Sequence, residues 1–283
     1  MNQRLLAMTA CAVMASAGCG AASALPLPPK AIALNTAGAL AIEQGDLATA
    51  EASLSVALEY TPRFVEAWVN LGYVELARGN FEQARRDFVR ARALNGQIPA
   101  PDHALGVLAD RQGQGARAEA HYRAALQIDP GFAPARANLA RRLFARGQYE
   151  NAREQFERLA LVAPDALEAW TGQVEALEQL GRATQAEQVA SRARERFGDA
   201  PALMLLVARQ LLERGEWTEA EAALAPVVGG GDRPRAGAAW AWIAVARVGL
   251  GDVAGALRAA REAQAVDRDD PVAAYVLAHQ RVP

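Results

Sequence analysis

Cysteine is nearly absent from this 283-residue chain: the only two, Cys11 and Cys19, both fall within the first 24 residues. The rest of the chain must therefore be stabilised by packing and not by disulfide bonds. Aromatic residues are also scarce, at 6%, although apolar residues make up 52% of the chain. A core of small aliphatic side chains is typical of closely packed helices and disfavours a sheet rich in aromatic and β-branched residues.

No charge of one sign dominates, because 30 basic and 32 acidic residues give a formal net charge of −2. A nucleic-acid-binding protein usually carries a basic excess, so the sequence predicts no nucleic-acid partner. High apolar content with balanced charge also argues against a disordered chain.

Catalytic and metal-binding patterns are missing as well. The three histidines, His103, His121 and His279, show no H-x-x-x-H or H-E-x-x-H spacing, and no cysteine accompanies them. The chain has no G-x-S-x-G elbow, and its run of three glycines at 229–231 precedes no Gly-Lys-Ser or Gly-Lys-Thr. The sequence therefore predicts no enzymatic activity, no metal and no cofactor.

The first 24 residues have the character of an export signal. Arg4 precedes the apolar stretch 5–17, which is too short for a permanent membrane-spanning helix. Two cleavage sites compete. Ala22-Ser23-Ala24 would release a soluble protein beginning at Leu25, whereas Ser16-Ala17-Gly18-Cys19 resembles a bacterial lipobox, with residues 1–18 removed and Cys19 lipidated. Gly20 then favours the outer membrane under the bacterial sorting rule that this motif resembles.

A proline-rich stretch at 25–30 follows, and consecutive prolines favour an extended spacer. Beyond it the chain repeats itself. Glycine recurs every 34 residues from Gly45 to Gly215 and once more at Gly251, and an alanine follows each glycine five residues later. Such a period indicates a solenoid of supersecondary units rather than a single globular core.

The repeat resembles the tetratricopeptide family, whose signature of Trp, Leu and Gly at positions 4, 7 and 8 is met in full by Trp68, Leu71 and Gly72. The resemblance implies an all-α, right-handed α-solenoid of seven helix hairpins. The units would span 31–64, 65–98, 99–132, 133–166, 167–200, 201–234 and 237–270. Residues 271–283 would form a capping helix, with Leu277 and Ala278 facing inward.

Two departures from the repeat predict weaker packing. Val174 replaces the small residue at position 8 of the fifth unit, which predicts a looser helix contact there. Pro226, the three glycines and two extra residues interrupt the register at 226–236, so we expect the array to be divided at that segment.

A partner-binding face is expected on the first helix of each unit, since tetratricopeptide arrays normally bind through their concave surface. At about 100° per residue, positions 2, 5, 9, 12 and 13 fall on one stripe, away from the core positions. Aromatic anchors beside arginines suit a peptide with apolar side chains and a carboxylate. An alternative is that these residues are merely solvated and another face binds. The predicted binding residues on or beside the stripe are Asn70, Tyr73, His103, Asp110, Arg111, Arg141 and Phe144.

The resemblance thus implies a non-enzymatic scaffold of the bacterial cell envelope that binds protein or peptide partners. It would sit on the periplasmic side of the outer membrane, in contact with membrane only through an N-terminal lipid anchor. Exported chains of this kind resemble the pilotin-type and tight-adherence lipoproteins that assist assembly of pili and secretion complexes. The alternative is a soluble periplasmic adaptor of cell-wall or polysaccharide export machinery.

Overall fold

The computed structural model describes residues 26–279, and all the regular secondary structure in this part of the chain is α-helical, which confirms the predicted all-α class. The proposed signal peptide and Cys19 lie outside the described residues. The fifteen helices are α1 (Pro29–Gln44), α2 (Leu47–Tyr60), α3 (Val65–Arg78), α4 (Phe81–Leu94), α5 (Pro99–Arg111), α6 (Gly115–Ile128), α7 (Ala133–Ala145), α8 (Tyr149–Val162), α9 (Leu167–Gln179), α10 (Ala183–Phe197), α11 (Pro201–Glu213), α12 (Trp217–Gly229), α13 (Arg233–Gly249), α14 (Val253–Val266) and α15 (Pro271–His279).

Consecutive helices pack as hairpins, from α1 against α2 to α13 against α14. The glycine that recurs along the sequence ends the first helix of each hairpin in a left-handed conformation, with φ of +78° at Gly45 and +77° at Gly251. At the first of these turns the Asp46 amide donates to the Ala41 carbonyl at 2.9 Å and the Gly45 amide to Ile42 at 3.0 Å. The turn thereby satisfies carbonyls that the helix end leaves open.

Positions 8 and 24 of a unit face each other across the hairpin and share one volume. A methyl group added at Gly72 would lie 2.4 Å from the Phe88 ring, because glycine leaves room for that ring. In the fifth repeat, 167–200, the large residue is Val174 at position 8 and the small one is Ala190 at position 24. Both side chains are buried in one core. The small Ala190 thus accommodates the larger Val174, and the looser helix contact expected there stays a prediction.

The described chain forms two compact units, each made of several repeats. The first unit ends at Ala163 and the second unit begins at Pro164. The first unit holds α1–α8. Its N-terminal core buries Leu54, Phe64 and Val74, with Trp68 packed against them. The Trp68 indole also donates to the carbonyl of Pro62 at 2.9 Å, so a signature residue holds the loop between the first two hairpins.

The second unit holds α9–α15 around a core that runs from Val174 to Val276. Helix α12 continues through Pro226 to Gly229, and Asp232 caps α13 by accepting from the Arg235 amide. Residues on both sides of 226–236 belong to this one core. The boundary between the compact units lies at Ala163–Pro164 and not at 226–236, and the mechanical division expected at that segment stays a prediction.

Helix ends also differ from the sequence prediction. Helix α1 starts at Pro29, inside the stretch assigned to the spacer, because proline fits the first turn of a helix. In α15 the buried residues are Ala273 and Val276, whereas Ala278 is exposed. None of the helices within 26–279 has both the length and the apolar character needed to cross a membrane.

Candidate functional site

The predicted binding residues lie on α3, α5 and α7, the first helices of three successive hairpins in the first unit. Helix α3 packs against both α1 and α5. This arrangement brings the predicted residues to neighbouring helices of one face, as the stripe requires.

Three of the predicted residues are buried, contrary to their predicted exposure on the stripe. Asn70, Tyr73 and His103 are 1%, 5% and 3% exposed. Helical periodicity describes a single helix, whereas in the fold neighbouring first helices close over positions 5, 6 and 9. These side chains support the face from below and do not form its surface.

The buried side chains form a hydrogen-bonded chain across three helices. The Tyr73 hydroxyl lies 3.2 Å from His103 Nδ1, and His103 Nε2 lies 2.8 Å from Asn138 Nδ2. Asn138 Oδ1 in turn accepts from Arg141 Nη2 at 2.6 Å. A continuous polar connection thus runs from α3 through α5 to α7 and ends on a guanidinium.

The chemistry of these groups determines the direction of each hydrogen bond. Arg141 can only donate, so the Asn138 oxygen faces it and the Asn138 amide nitrogen donates to His103 Nε2. His103 must then carry its proton on Nδ1 and donate to Tyr73. A second proton on the ring would oppose the Asn138 donor, and burial together with the Arg141 charge lowers the pKa of His103 to about 3. His103 is therefore a neutral link.

Asn70 does not join this chain. Its amide nitrogen donates to Asn35 Oδ1 at 2.9 Å, and both side chains are buried between α1 and α3. The pair satisfies two polar groups inside an otherwise apolar contact and thereby fixes the register of the two helices.

Asp110 is half-buried at the end of α5 and is held by the second helix of its own hairpin. The Tyr122 hydroxyl donates to Asp110 Oδ2 at 2.6 Å, and Arg142 Nε lies 3.3 Å from Oδ1. Burial raises the pKa of Asp110, although the Tyr122 hydrogen bond and the positive charges of Arg142 and Arg141 oppose that rise. The carboxylate is thus part of the internal packing as much as of the surface.

The accessible part of the face is formed by Arg111, Arg141 and Phe144. Arg111 is exposed, while Arg141 and Phe144 are half-buried. Phe144 packs edge to face on Tyr149, with ring centroids 5.2 Å apart. The face therefore offers two guanidinium groups and an aromatic ring that its neighbour holds in place.

Sequence reasoning missed Asn138, the residue that connects His103 to Arg141. A signal was present, because Asn35 and Asn70 are 35 residues apart, as are His103 and Asn138. Side chains one repeat plus one residue apart meet between successive first helices. That offset becomes visible only when the helices are packed. No group of three potential metal-ligating side chains converges within the described residues.

Comparison with known families gives one consistent result. A family model described as "Tetratricopeptide repeat" matches residues 35–98, 75–131 and 205–275, and a second model with the same description matches 111–176. None of the curated proteins gives a significant match to the sequence.

Several solved structures share the fold at low sequence identity. A tetratricopeptide repeat protein from Parabacteroides merdae is 16% identical, with 89% of this chain and 98% of that chain covered and a TM-score of 0.61. PilF of Pseudomonas aeruginosa is 20% identical over 76% of this chain and 96% of its own, with a TM-score of 0.63. YrrB, a protein with "an unusual peptide-binding site", is 20% identical over 66% and 96% of the two chains, with a TM-score of 0.50.

Proposed function

The chain belongs to the tetratricopeptide repeat family, and on this basis we propose that it is a non-enzymatic scaffold whose first-unit face binds a protein partner. Repeat arrays of this kind present extended surfaces for binding other proteins. YrrB, which has a similar fold, carries a peptide-binding site. The proposed face comprises Arg111, Arg141 and Phe144 with the buried residues beneath them.

The observation that carries this proposal is the support given to Arg141. Asn138 holds its guanidinium at 2.6 Å, and His103 and Tyr73 hold Asn138 in turn. A guanidinium already held in place loses less freedom when it binds a carboxylate, so more of the interaction energy contributes to affinity. Phe144 beside it supplies an aromatic surface for an apolar anchor.

The test is the double variant Arg111→Ala/Arg141→Ala, compared with wild type in crosslinking and pulldown from the native cell envelope. Partner recovery should fall at least tenfold while circular dichroism shows that the double variant stays folded, although the loss of the Arg141 donor to Asn138 lowers its melting temperature. The matched control is Arg117→Ala, since Arg117 is an exposed arginine on α6 and lies off this face. Undiminished recovery by the folded double variant would move the contact to another surface.

The envelope location is part of the same proposal. The sequence Gly18-Cys19-Gly20 after a short apolar run supports lipidation at Cys19 and attachment to the periplasmic side of the outer membrane. There the scaffold would assist assembly of a pilus or secretion complex. PilF of Pseudomonas aeruginosa shares the fold of this chain at 20% identity.

Mass spectrometry of the mature N-terminus separates the two export routes, because lipidated Cys19 and free Leu25 differ in mass. Cell fractionation of Cys19→Ser provides a second readout. We expect wild type in the membrane fraction and the variant outside it. Equal solubility of both proteins would favour the soluble periplasmic adaptor.

A further inference from the structure

Helices α4 and α6 are the second helices of two successive hairpins in the first unit, and polar side chains close the slot between them. Arg92 of α4 reaches Asp102 of α5, with 3.3 Å between Nη1 and Oδ1. His121 of α6 approaches the same carboxylate oxygen at 3.4 Å. Asp102 is only 6% exposed, so this triad fills the slot between α4 and α6.

The second unit places different residues at the same three repeat positions. Arg194 of α10 corresponds to Arg92, Met204 of α11 to Asp102, and Ala223 of α12 to His121. The Met204 thioether cannot form an ion pair with Arg194 as the Asp102 carboxylate does with Arg92. The Ala223 methyl group is also smaller than the His121 imidazole. A cleft of about 590 Å³ lies here between α10 and α12, and all three residues line it. Ligand pockets typically measure about 300–1,000 Å³.

The cleft has an apolar floor, and its walls combine small side chains with charged ones. Met204 is 1% exposed, and Val207 and Leu211 of the same helix line the cleft beside it. The wall residues recur at helical spacing over about two turns, or roughly 10 Å. They are Glu187, Ala190, Ser191 and Arg194 on α10 and Glu219, Ala222, Ala223 and Pro226 on α12. Such a groove suits a short amphipathic segment.

The charges around the cleft are only partly paired. Arg214 lies 3.2 Å from Glu187 and 3.7 Å from Glu216, so these three groups neutralise one another in part. Within 26–279, Arg194 makes no ion pair, in contrast to its counterpart Arg92. Asp199 and Glu219 also line the cleft without an ion pair in that part of the chain.

We infer that this cleft is a second docking site, for a partner segment that lays an apolar side chain on Val207 and Ala223 and offers one carboxylate to Arg194. The repeat itself supplies the precedent, because the equivalent Arg92 donates to a carboxylate, that of Asp102, at this point of the first unit. Asp199 and Glu219 would repel a strongly acidic segment. The chemistry therefore favours a single acidic residue among apolar ones.

The test uses a random peptide library displayed on phage and selected on the full chain. Counter-selection uses Met204→Asp/Ala223→His, which copies the triad of the first unit and closes the cleft. Enriched peptides should carry an apolar and an acidic residue within one helical turn. Measured by fluorescence polarisation, the affinity of such a peptide should fall at least tenfold in Arg194→Ala. It should be unchanged in Arg192→Ala, an exposed arginine of the same helix outside the cleft.

Circular dichroism checks that the double variant folds, and Ala223→Phe, which fills the cleft, replaces it if it does not. Binding should be unaltered in Arg111→Ala/Arg141→Ala, so failure here and failure of the first-unit face are distinguishable. The proposal is overturned if no selected peptide distinguishes the open from the closed cleft, or if Arg194→Ala binds as wild type does. If no peptide is enriched but the protein binds decanoate saturably, the proposal is likewise overturned, because the cleft would then bind a small amphipathic anion.

Discussion

The two compact units share one 34-residue frame and fill it differently. In residues 26–163, contacts between repeats include the buried His103 and the Arg92–Asp102–His121 triad, whose carboxylate is buried. In residues 164–279, Met204 and Ala223 replace two members of that triad and the slot stays open. The frame specifies the helices, whereas a few residues per repeat decide whether a slot is a packed contact or a surface for binding.

The first helices are also joined by different chemistry. In the first unit the neutral His103 is hydrogen-bonded to Tyr73 of α3 and to Asn138 of α7, and Asn138 accepts from Arg141. In the second unit the Glu178 carboxylate accepts from both Arg209 and Gln210 of α11. The first helices are therefore joined through a neutral imidazole in the first unit and through an ion pair in the second.

The largest expected effect comes from copying the packing of the fifth repeat, 167–200, into the second repeat, 65–98. Gly72→Val alone should destabilise the first unit by about 3 kcal/mol, because the new side chain collides with the Phe88 ring. Adding Phe88→Ala recreates the pairing of Val174 with Ala190 and should restore part of that loss. Urea unfolding of both variants measures the free energies. A double variant no more stable than the single one would show that the two positions do not share one volume.

The second prediction concerns pH. Since the pKa of His103 is lowered from 6.5 to about 3, the unfolded state binds the extra proton first as the pH falls. The contribution of His103 to stability is complete above about pH 6.5 and is lost between there and pH 3, at up to about 1.4 kcal/mol per pH unit. His103→Gln should therefore show a smaller fall in melting temperature from pH 7 to pH 4.5. The exposed His279→Gln serves as control, and equal slopes for all three proteins would contradict the neutral link.

A third, intermediate effect is expected when the link to Arg141 is removed. Asn138→Leu leaves His103 Nε2 and one Arg141 donor without their partner, at a cost of about 2 kcal/mol for unsatisfied buried polar groups. Asn151→Leu, at an exposed asparagine on α8, should cost much less. Chemical denaturation of the two variants compares them directly. Similar losses would mean that the network adds nothing specific to the first unit.

The smallest predicted effect is a gain in stability. Asp87 is 3% exposed, and its Oδ2 has no hydrogen-bond partner within the described chain. Burial raises the pKa of Asp87 to about 6, above the value of 3.8 for an ordinary aspartate. Ionisation at neutral pH therefore costs the folded state more than the unfolded state.

Asp87→Asn should consequently stabilise the protein by about 1 kcal/mol at pH 7.5, within the range seen for buried polar groups. The gain should diminish towards pH 4, where the carboxyl is protonated in the folded protein. Asp252→Asn offers a control, because that carboxylate caps α14 and its replacement should not stabilise. A variant less stable than wild type at pH 7.5 would show that the Asp87 charge is compensated.

The sequence alone predicted the fold class because the repeat constrains local structure directly. A glycine every 34 residues needs a positive φ, and the structure has it at Gly45, Gly79 and their successors. Size complementarity across the hairpin could also have been read from the sequence, had Val174 been compared with Ala190 as well as with the family pattern. The cleavage site, the lipid at Cys19 and the envelope location remain predictions.

Tertiary structure decided what the repeat pattern could not. The frame placed Tyr73 and His103 on one stripe, but only packing between neighbouring first helices showed that they are buried and that Asn138 connects them to Arg141. Likewise, the composition of segment 226–236 suggested a division, whereas a continuous core places the unit boundary at Pro164. Backbone angles and helical periodicity follow from residues close in sequence. Burial and hydrogen-bond partners depend on side chains about 30 residues away, which meet only once the hairpins have stacked.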